Sequence, residues 1–284
     1  MNRPDHLLDA TFFAVGSCRG PGRLAARQAG WRTLRFPALA VLLRHATRGY
    51  VLYDTGYAPR YFDVLRRWPY RLLGPALGAR LLPGEGLATQ MLARCGVDPA
   101  AVRTVIVSHF HLDHIAGLRD FPAAEIVCTE EALASVRGLR GGWRAARQVF
   151  HPDLLPEDFA ARVQRLPSRD AEPSEGFART WDVFGDRSLR AVALPGHAAG
   201  QAGLRFRCKG TEYFLVADAC WHAAALSGPD APPGRAERWF SADPDAGQAT
   251  RRALQAYRRE HPSVRVVPSH CPHTVALQIA AFDS

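Results

Sequence analysis

The sequence lacks the features that would place the chain in a membrane or cross-link it. No apolar run reaches the roughly 18–20 residues that a membrane-spanning helix needs. Residues 1–6 lack the charged-then-apolar pattern of a secretory signal. The six cysteines are scattered and form no C-x-x-C pair, which is typical of reduced thiols. We therefore expect a cytoplasmic enzyme with no membrane partner.

Lysine is also almost missing, because Lys209 is the only one in a chain whose net charge is +9. The positive charge thus comes almost entirely from arginine. Together with the many Ala, Gly and Pro residues, this composition is explained by a bias in genomic base composition as well as by selection for an anionic partner. The charge alone does not indicate nucleic-acid binding, although it suits an acidic or carbonyl-bearing small molecule. A small-molecule substrate is expected, and assembly into a homodimer stays open.

Hydrophobic patterning predicts strands and helices along the whole chain, without a repeat or a linker-like change of composition. Strands are predicted at 11–17, 34–44, 50–54, 102–108, 125–128, 189–194, 203–207, 212–217 and 264–267. Helices are predicted at 87–95, 115–119, from Glu130 under a Thr129 cap, at 245–260 and at 275–280. This order suits two sheets covered by helices, an α+β class, in one domain spanning 1–284.

Two irregular segments interrupt this pattern. Segment 58–88 mixes Tyr61, Trp68 and other aromatic residues with arginines and prolines, and segment 141–175 is predicted to be partly helical. Because loops around a rigid site set specificity, we expect both segments on the substrate side, with Tyr61 and Trp68 as candidate substrate-binding residues. The alternative is that these aromatic side chains pack on the scaffold or form a dimer contact.

The chemistry-bearing motif is a stretch with four ligand-type side chains in six residues, directly after the predicted strand 102–108. His109 and His111 alternate along an extended segment, so both imidazoles can face one point. The last two side chains then turn back towards a second point beside it. Two-metal sites need ions about 3.5–4 Å apart. The motif reads His109-Phe110-His111-Leu112-Asp113-His114.

Three further ligand-type residues follow predicted strands, where side chains are held rigidly. His197 follows Gly196 after one strand, and His270 follows another. Asp218 stands at the tip of a third strand, where a carboxylate can bridge two cations.

This ordered set resembles the metallo-β-lactamase superfamily, and the similarity runs from about residue 11 to 284. The resemblance implies a four-layer αββα sandwich. It implies one ion on His109, His111 and His197, a second on Asp113, His114 and His270, and Asp218 as the bridge. These ligands suit zinc, with iron, manganese or cobalt as alternatives. The features that carry the resemblance are the H-x-H-x-D-H motif, Gly196-His197, Asp218, His270 and the D-T-G turn Asp54-Thr55-Gly56.

The implied reaction is hydrolysis, because a bound metal lowers the pKa of its water from about 15.7 to about 7. The resulting hydroxide would attack an ester- or lactone-type carbonyl, without an organic cofactor. Asp113 and Asp218 are the candidate catalytic carboxylates, and Asp218 would orient the nucleophile and pass a proton to the leaving oxygen. Asp54 is expected to hydrogen-bond a ligand or brace its turn.

Within the superfamily the layout is most similar to the N-acyl homoserine lactonase-like group. That group often has a tyrosine three residues after the bridging aspartate, where this chain has Trp221, which lacks a hydroxyl. Trp221 and His222 are therefore candidate substrate-binding residues, and His222 is a candidate replacement donor. The alternatives are a phosphodiesterase or nuclease-like enzyme, a glyoxalase II-like thioesterase, and, in another class, a metal-containing binding protein without turnover.

Overall fold

The computed structural model describes residues 6–72, 78–228 and 234–283, and the strands of this part form one mixed sheet. The strands are β1 (Leu7–Pro21), β2 (Thr33–His45), β3 (Gly49–Tyr53), β4 (Val102–Ile106), β5 (Glu125–Thr129), β6 (Val163–Leu166), β7 (Glu172–Ser174), β8 (Phe177–Asp182), β9 (Leu189–Ala193), β10 (Ala202–Cys208), β11 (Thr211–Leu215) and β12 (Arg265–Val267). Along the sheet their order is β6-β5-β4-β3-β2-β1-β10-β9-β8-β7, with β11 beside β10 and β12 beside β11.

The sheet folds into two stacked halves that meet where β1 pairs with β10 at one position, Leu7 with Cys208. Phe12 and Val41 from the first half share a buried core with Phe206 and Leu215 from the second. Because neighbouring side chains of a strand point to opposite faces, the remaining apolar residues of both halves face outwards and need a cover.

Helices provide that cover. On the first half, Leu52 packs with Met91 and Ile115, and on the second half Phe214 packs with Leu254 and Tyr257. The layers therefore run helix, sheet, sheet, helix, which confirms the predicted α+β sandwich. Among the described residues, no helix is both long and apolar enough to cross a bilayer. The helices are α1 (Pro59–Leu65), α2 (Leu87–Cys95), α3 (Leu112–Ile115), α4 (Glu130–Val136), α5 (Gly142–Arg147), α6 (Phe159–Arg162), α7 (Arg235–Trp239), α8 (Pro244–Glu260) and α9 (Pro272–Asp283).

The predicted elements are present, with shifts at their ends. The helix expected at 115–119 is instead a short α-helix at Leu112–Ile115, inside the ligand motif, followed by a separate single turn at Leu118–Asp120. Segment 58–88 forms α1 and a single turn at Tyr70–Leu72, and its residues 73–77 lie outside the described part. Strands β6, β7 and β8 were not predicted, since β6 is short and mostly exposed and has no apolar alternation. Because β6 pairs with β5, part of segment 141–175 belongs to the sheet.

Candidate metal centre

The candidate site forms where two pairs of parallel strands end at one edge of the sandwich. β3 and β4 end side by side in the first half, and β11 and β12 end side by side in the second. The amide of Ala202 donates to the carbonyl of Ser108 at 3.0 Å and ties the two halves together beside the site. The polar residues that follow these four strands are Asp54, Ser108, His109, Asp218 and His270.

The D-T-G turn positions the second part of the ligand motif. Thr55 donates to the carbonyl of His114 through its amide at 2.9 Å and through its hydroxyl at 2.8 Å. These bonds hold the short helix α3, which turns Asp113 and His114 back towards His109. Asp54 and Ala217 have φ values of +55° and +47°, which are uncommon for residues other than glycine. Both strained residues lie at or next to the site, as is typical of functional centres.

The loop that carries His197 is clamped by the start of α8. Gly196 has a φ of +130°, and a Cβ there would overlap the Cα of Gly247 in α8. The hydroxyl of Ser241 donates to the Gly196 carbonyl at 2.8 Å, and the amide of Ala242 donates to the His197 carbonyl at 3.0 Å. Glycine is thus needed at position 196 for this close approach.

All seven predicted ligands converge; His109, His114, His197, Asp218 and His270 are buried, and none of the seven is exposed. The Nε2 of His197 lies 2.9 Å from the Nδ1 of His111. Within each of three groups the ligand atoms lie within 4.8 Å of one another. The groups are His109, His111 and His197; His109, His114 and Asp218; and Asp113, His114 and His270.

Asp218 stands between the groups. Its Oδ2 lies 3.3 Å from the Nε2 of His197 and 3.1 Å from the Nε2 of His270, and its Oδ1 lies 3.4 Å from the Nε2 of His114. One carboxylate therefore touches imidazoles of both predicted coordination spheres.

Hydrogen bonds behind the cluster orient three imidazoles towards its centre. His114 Nδ1 donates to Asp54 Oδ2 at 2.7 Å, and His270 Nδ1 donates to the Pro37 carbonyl at 2.7 Å. Ser108 donates to Asp54 through its amide at 2.8 Å and through its hydroxyl at 2.7 Å, so its oxygen accepts from His109 Nδ1 at 2.9 Å. In its neutral form each of these rings presents an unprotonated Nε2 to the site. The predicted role of Asp54 as a ligand brace fits this geometry.

The charges of the cluster follow from burial and from its carboxylates. Burial lowers the pKa of His109 and His197 well below the ordinary value and that of His111 to about 4. Burial opposes a charge on His114 too, yet Asp218 and Asp54 outweigh it and raise the pKa of His114. Burial likewise opposes ionisation of Asp218, but the surrounding imidazoles hold its pKa well below the usual value.

The residues present fit divalent cations. The Nε2 atoms of His109 and His114 and the Oδ1 of Asp218 are buried without a hydrogen-bond partner. Buried polar atoms normally have a partner, and an ion is one of the few groups that satisfies several at once. Neutral imidazoles and an ionised carboxylate are the donors that such ions bind.

Two cavities adjoin the cluster. The inner cavity, of about 120 Å³, is lined by Tyr61 and Trp221 together with His111, His197 and Asp218. The indole Nε1 of Trp221 is buried without a partner, and its ring centroid lies 5.9 Å from that of His197. The outer cavity, of about 380 Å³, also touches His111 and His197 and opens between Leu72, Trp143 and Trp239.

The other predicted substrate residues lie farther out. His222 lines neither cavity, because it caps the turn Ala223–Leu226 and its Nδ1 accepts from the Ala224 amide at 3.1 Å. Trp68 is exposed and packs edge-on against Trp143. Sequence reasoning missed Trp143 and Trp239, since neither belongs to a motif. Their only signal was that of large aromatic residues in irregular, arginine-rich segments.

A further histidine–aspartate group, at His45 and Asp186, lies away from the site, and its hydrogen bonds indicate a structural role rather than metal binding. The Nδ1 of His45 accepts from the amides of Thr47 and Arg48 at 3.2 and 3.1 Å, so its proton sits on Nε2, 3.1 Å from Asp186. A metal on Nε2 would force a proton onto Nδ1, against those two amides. His6 stacks on this ring.

Comparison with known sequences gives a consistent picture. A model described as the Metallo-beta-lactamase superfamily matches residues 34–270. The N-acyl homoserine lactonase AiiB of Agrobacterium fabrum is 28% identical over 217 residues, covering 72% of this chain and 69% of the relative. The probable metallo-hydrolase Rv2300c of Mycobacterium tuberculosis is 29% identical over 242 residues, covering 82% of this chain and 74% of the relative.

Solved structures share the fold at lower identity. An N-acyl homoserine lactone hydrolase with the product N-hexanoyl-L-homoserine at its catalytic metal centre superposes with a TM-score of 0.70 at 15% identity, over 95% of this chain and 96% of that one. AidC, a dizinc quorum-quenching lactonase, gives a TM-score of 0.61 at 15% identity, over 95% and 92%.

Proposed function

The chain belongs to the metallo-beta-lactamase superfamily, and from this premise we propose that it is a dinuclear lactonase-like hydrolase. It is a metal-dependent hydrolase, as its lactonase and metallo-hydrolase relatives indicate. The observation that carries the finer proposal is the convergence of five imidazoles and the Asp113 carboxylate around Asp218, beside a cavity that the Trp221 indole also lines. An ester or lactone carbonyl is the substrate group that this arrangement fits.

In this proposal His109, His111 and His197 would hold one cation and Asp113, His114 and His270 a second, with Asp218 as a ligand available to both. Zinc is the expected metal, with iron, manganese or cobalt as alternatives. Divalent cations bound there supply Lewis acidity and make water reactive near neutral pH.

The chain's own side chains then handle protons and the substrate. Asp218 stays ionised because the imidazoles hold its pKa low, and its unpartnered Oδ1 can accept a proton and return it to the leaving oxygen. The Nε1 of Trp221 donates to an oxygen of the substrate, whereas His222 lines neither cavity. The Asp113 carboxylate contributes a second negative charge against the two cations. Tyr61 lines the inner cavity.

The substrate-side role of the two irregular segments is also proposed. Leu72 from segment 58–88 and Trp143 from segment 141–175 both line the outer cavity, next to His111. A bulky acyl or aryl group attached to the carbonyl would lie there, while the single domain spanning 1–284 supplies the rigid centre.

A substrate panel tests the proposal. Protein purified without chelator is analysed for metal and assayed with a lactone series, thioesters, phosphodiesters and a β-lactam. Preferential lactone cleavage that is lost in His109→Ala is expected. Preference for a thioester or phosphodiester would move the chain to another branch of the superfamily, and metal binding without any turnover would indicate a binding protein.

A further inference from the structure

Exposed tryptophans border the mouth of the site. Four of the six tryptophans are more than half exposed: Trp239 (87%), Trp31 (69%), Trp68 (56%) and Trp143 (55%). Trp143 and Trp239 flank the outer cavity, and Trp68 lies against Trp143 with ring centroids 5.4 Å apart. Soluble monomers rarely expose large apolar side chains in one region without a function for them.

The tryptophans belong to one continuous surface, which we call the rim. Trp31 and Leu24 share a shallow cavity with Arg235, which stands at the start of α7, and α7 ends at Trp239. Trp239 leads across the outer cavity to Leu72 and Trp143. The rim therefore comprises Leu24, Trp31, Trp68, Leu72, Trp143 and Trp239. Of these, Leu72, Trp143 and Trp239 line the outer cavity and Leu24 lines the inner one.

Arginines are interleaved with these apolar side chains. Segments 19–31, 66–72, 139–147 and 234–241 contain eleven arginines and one acidic residue, Glu237, whereas the whole chain has 36 basic and 27 acidic residues. Arg66 and Arg67 pair with Asp63 and Asp153. The other nine form no ion pair with the side chains that the structure describes. Arg23 and Arg71 lie over the rings of Trp31 and Trp68, and the remaining seven are Arg19, Arg27, Arg140, Arg144, Arg147, Arg235 and Arg238.

The combination of exposed apolar side chains and unpaired arginines favours some binding partners of the rim over others. A second copy of the chain would bring the same unpaired arginines against each other, which costs free energy. A nucleic acid would satisfy the charge, but Leu24 and Leu72 offer nothing to it, and one ring face each of Trp31 and Trp68 is already covered by Arg23 and Arg71. Indole and leucine side chains suit the boundary between headgroups and acyl chains, and arginines suit anionic headgroups.

We propose, against the sequence-based expectation of no membrane partner, that the rim docks on the surface of an anionic lipid bilayer without crossing it. The outer cavity then opens towards the acyl layer, so an amphiphilic molecule can reach the inner cavity without passing through bulk water. Such peripheral contact needs no membrane-spanning helix. The docking stands on the rim alone and does not require the reaction proposed above.

Vesicle flotation of the full, metal-loaded chain without substrate tests the docking. The chain is expected to float with phosphatidylcholine vesicles that contain phosphatidylglycerol, with a blue shift of tryptophan fluorescence, and to dissociate at high salt. An arginine near an anionic leaflet contributes about fivefold to binding, so Arg27→Gln with Arg235→Gln should weaken binding about 25-fold. Trp31→Ala with Trp239→Ala should weaken it at least about tenfold.

The matched control is Arg44→Gln with Arg103→Gln, which removes the same charge from exposed positions at the opposite end of β2 and β4. It should leave vesicle binding unchanged, and circular dichroism checks that every variant folds. The proposal is overturned if the unmodified chain ignores anionic vesicles at low salt, or if the control pair weakens binding as much as the rim pair. It is equally overturned if only RNA is bound, or if the tryptophans are found buried in a dimer of this chain.

Discussion

The buried centre and the exposed rim are organised in opposite ways. In the centre three of the seven ligands, His109, His114 and His270, have a second hydrogen bond that fixes the ring, as His114 has with Asp54. At the rim, Trp239 and Trp143 are held by few neighbours and face outwards. A chemical step needs groups placed to within a fraction of an ångström, whereas recognition of an apolar group or a surface tolerates mobile side chains. Substitutions should therefore have large effects on turnover in the centre and small, substrate-dependent effects at the rim.

Asp218→Ala is the sharpest test of the centre. It removes the carboxylate that touches His197, His114 and His270, and with it charge stabilisation of several kcal/mol, so kcat/KM should fall by at least about 10³-fold. Elemental analysis should show less metal per chain. Asp170→Ala, at an exposed carboxylate, is the control and should retain both. Full activity with a normal metal content in Asp218→Ala would contradict the proposed centre.

Asp54→Asn probes the bonds behind the ligands. The side-chain amide of asparagine has one oxygen that can accept from Ser108 or from His114, but not the two oxygens of the carboxylate. If the oxygen faces Ser108, the NH2 group faces the Nδ1 proton of His114, and two donors then oppose each other. Loss of such a bracing bond should lower metal affinity about 10–100-fold, which a titration against a competing chelator measures. Ser108→Ala should have a smaller effect of the same kind. If metal affinity is unchanged in both variants, the centre does not depend on this brace.

Trp221→Phe separates the indole N–H from the bulk of the ring. Because Nε1 is buried without a partner beside the ligands, its loss should lower kcat/KM about tenfold, chiefly through kcat, while metal content stays the same. Trp181→Phe is the matched control, since that indole donates to the Pro167 carbonyl at 2.8 Å in a separate cluster. It should cost about 1 kcal/mol of stability and no turnover. Equal kcat in Trp221→Phe and the unmodified chain would exclude the donor role.

The centre could be predicted from sequence because its chemistry is written in short, ordered motifs. His109 to His114 lie within six residues, and the other three ligands each follow a strand that its apolar run identifies. What the sequence could not provide is which second bonds hold the ligands. The contacts of Pro37 with His270 and of Gly196 with Gly247 join residues far apart in the chain, and no local pattern encodes them.

The rim and the weak strands were harder for a related reason. Leu24, Trp68, Trp143 and Trp239 come from four separate segments and meet only after folding, so their sequence neighbourhoods show loops rich in arginine and nothing more. Strand β6 is held by its pairing with β5 rather than by an apolar pattern of its own. His222 lines neither cavity, and its Nδ1 caps a turn, a bond that sequence spacing does not reveal.

Trp143→Ala at the rim should give the smallest effect and so complete the contrast with Asp218. Because the ring is about half exposed, a bound acyl chain can bury only a small apolar area against it. Loss of this contact should cost about 1 kcal/mol of binding free energy, or a roughly fivefold rise in KM for a long-chain substrate. A short-chain substrate would not reach Trp143, and its kcat and KM should both stay the same. Leu92→Ala, an exposed leucine on α2 that lines neither cavity, is the control for loss of surface area. If Trp143→Ala slows short and long substrates equally, the ring supports the centre itself, and the division between a rigid centre and a tolerant rim fails at this position.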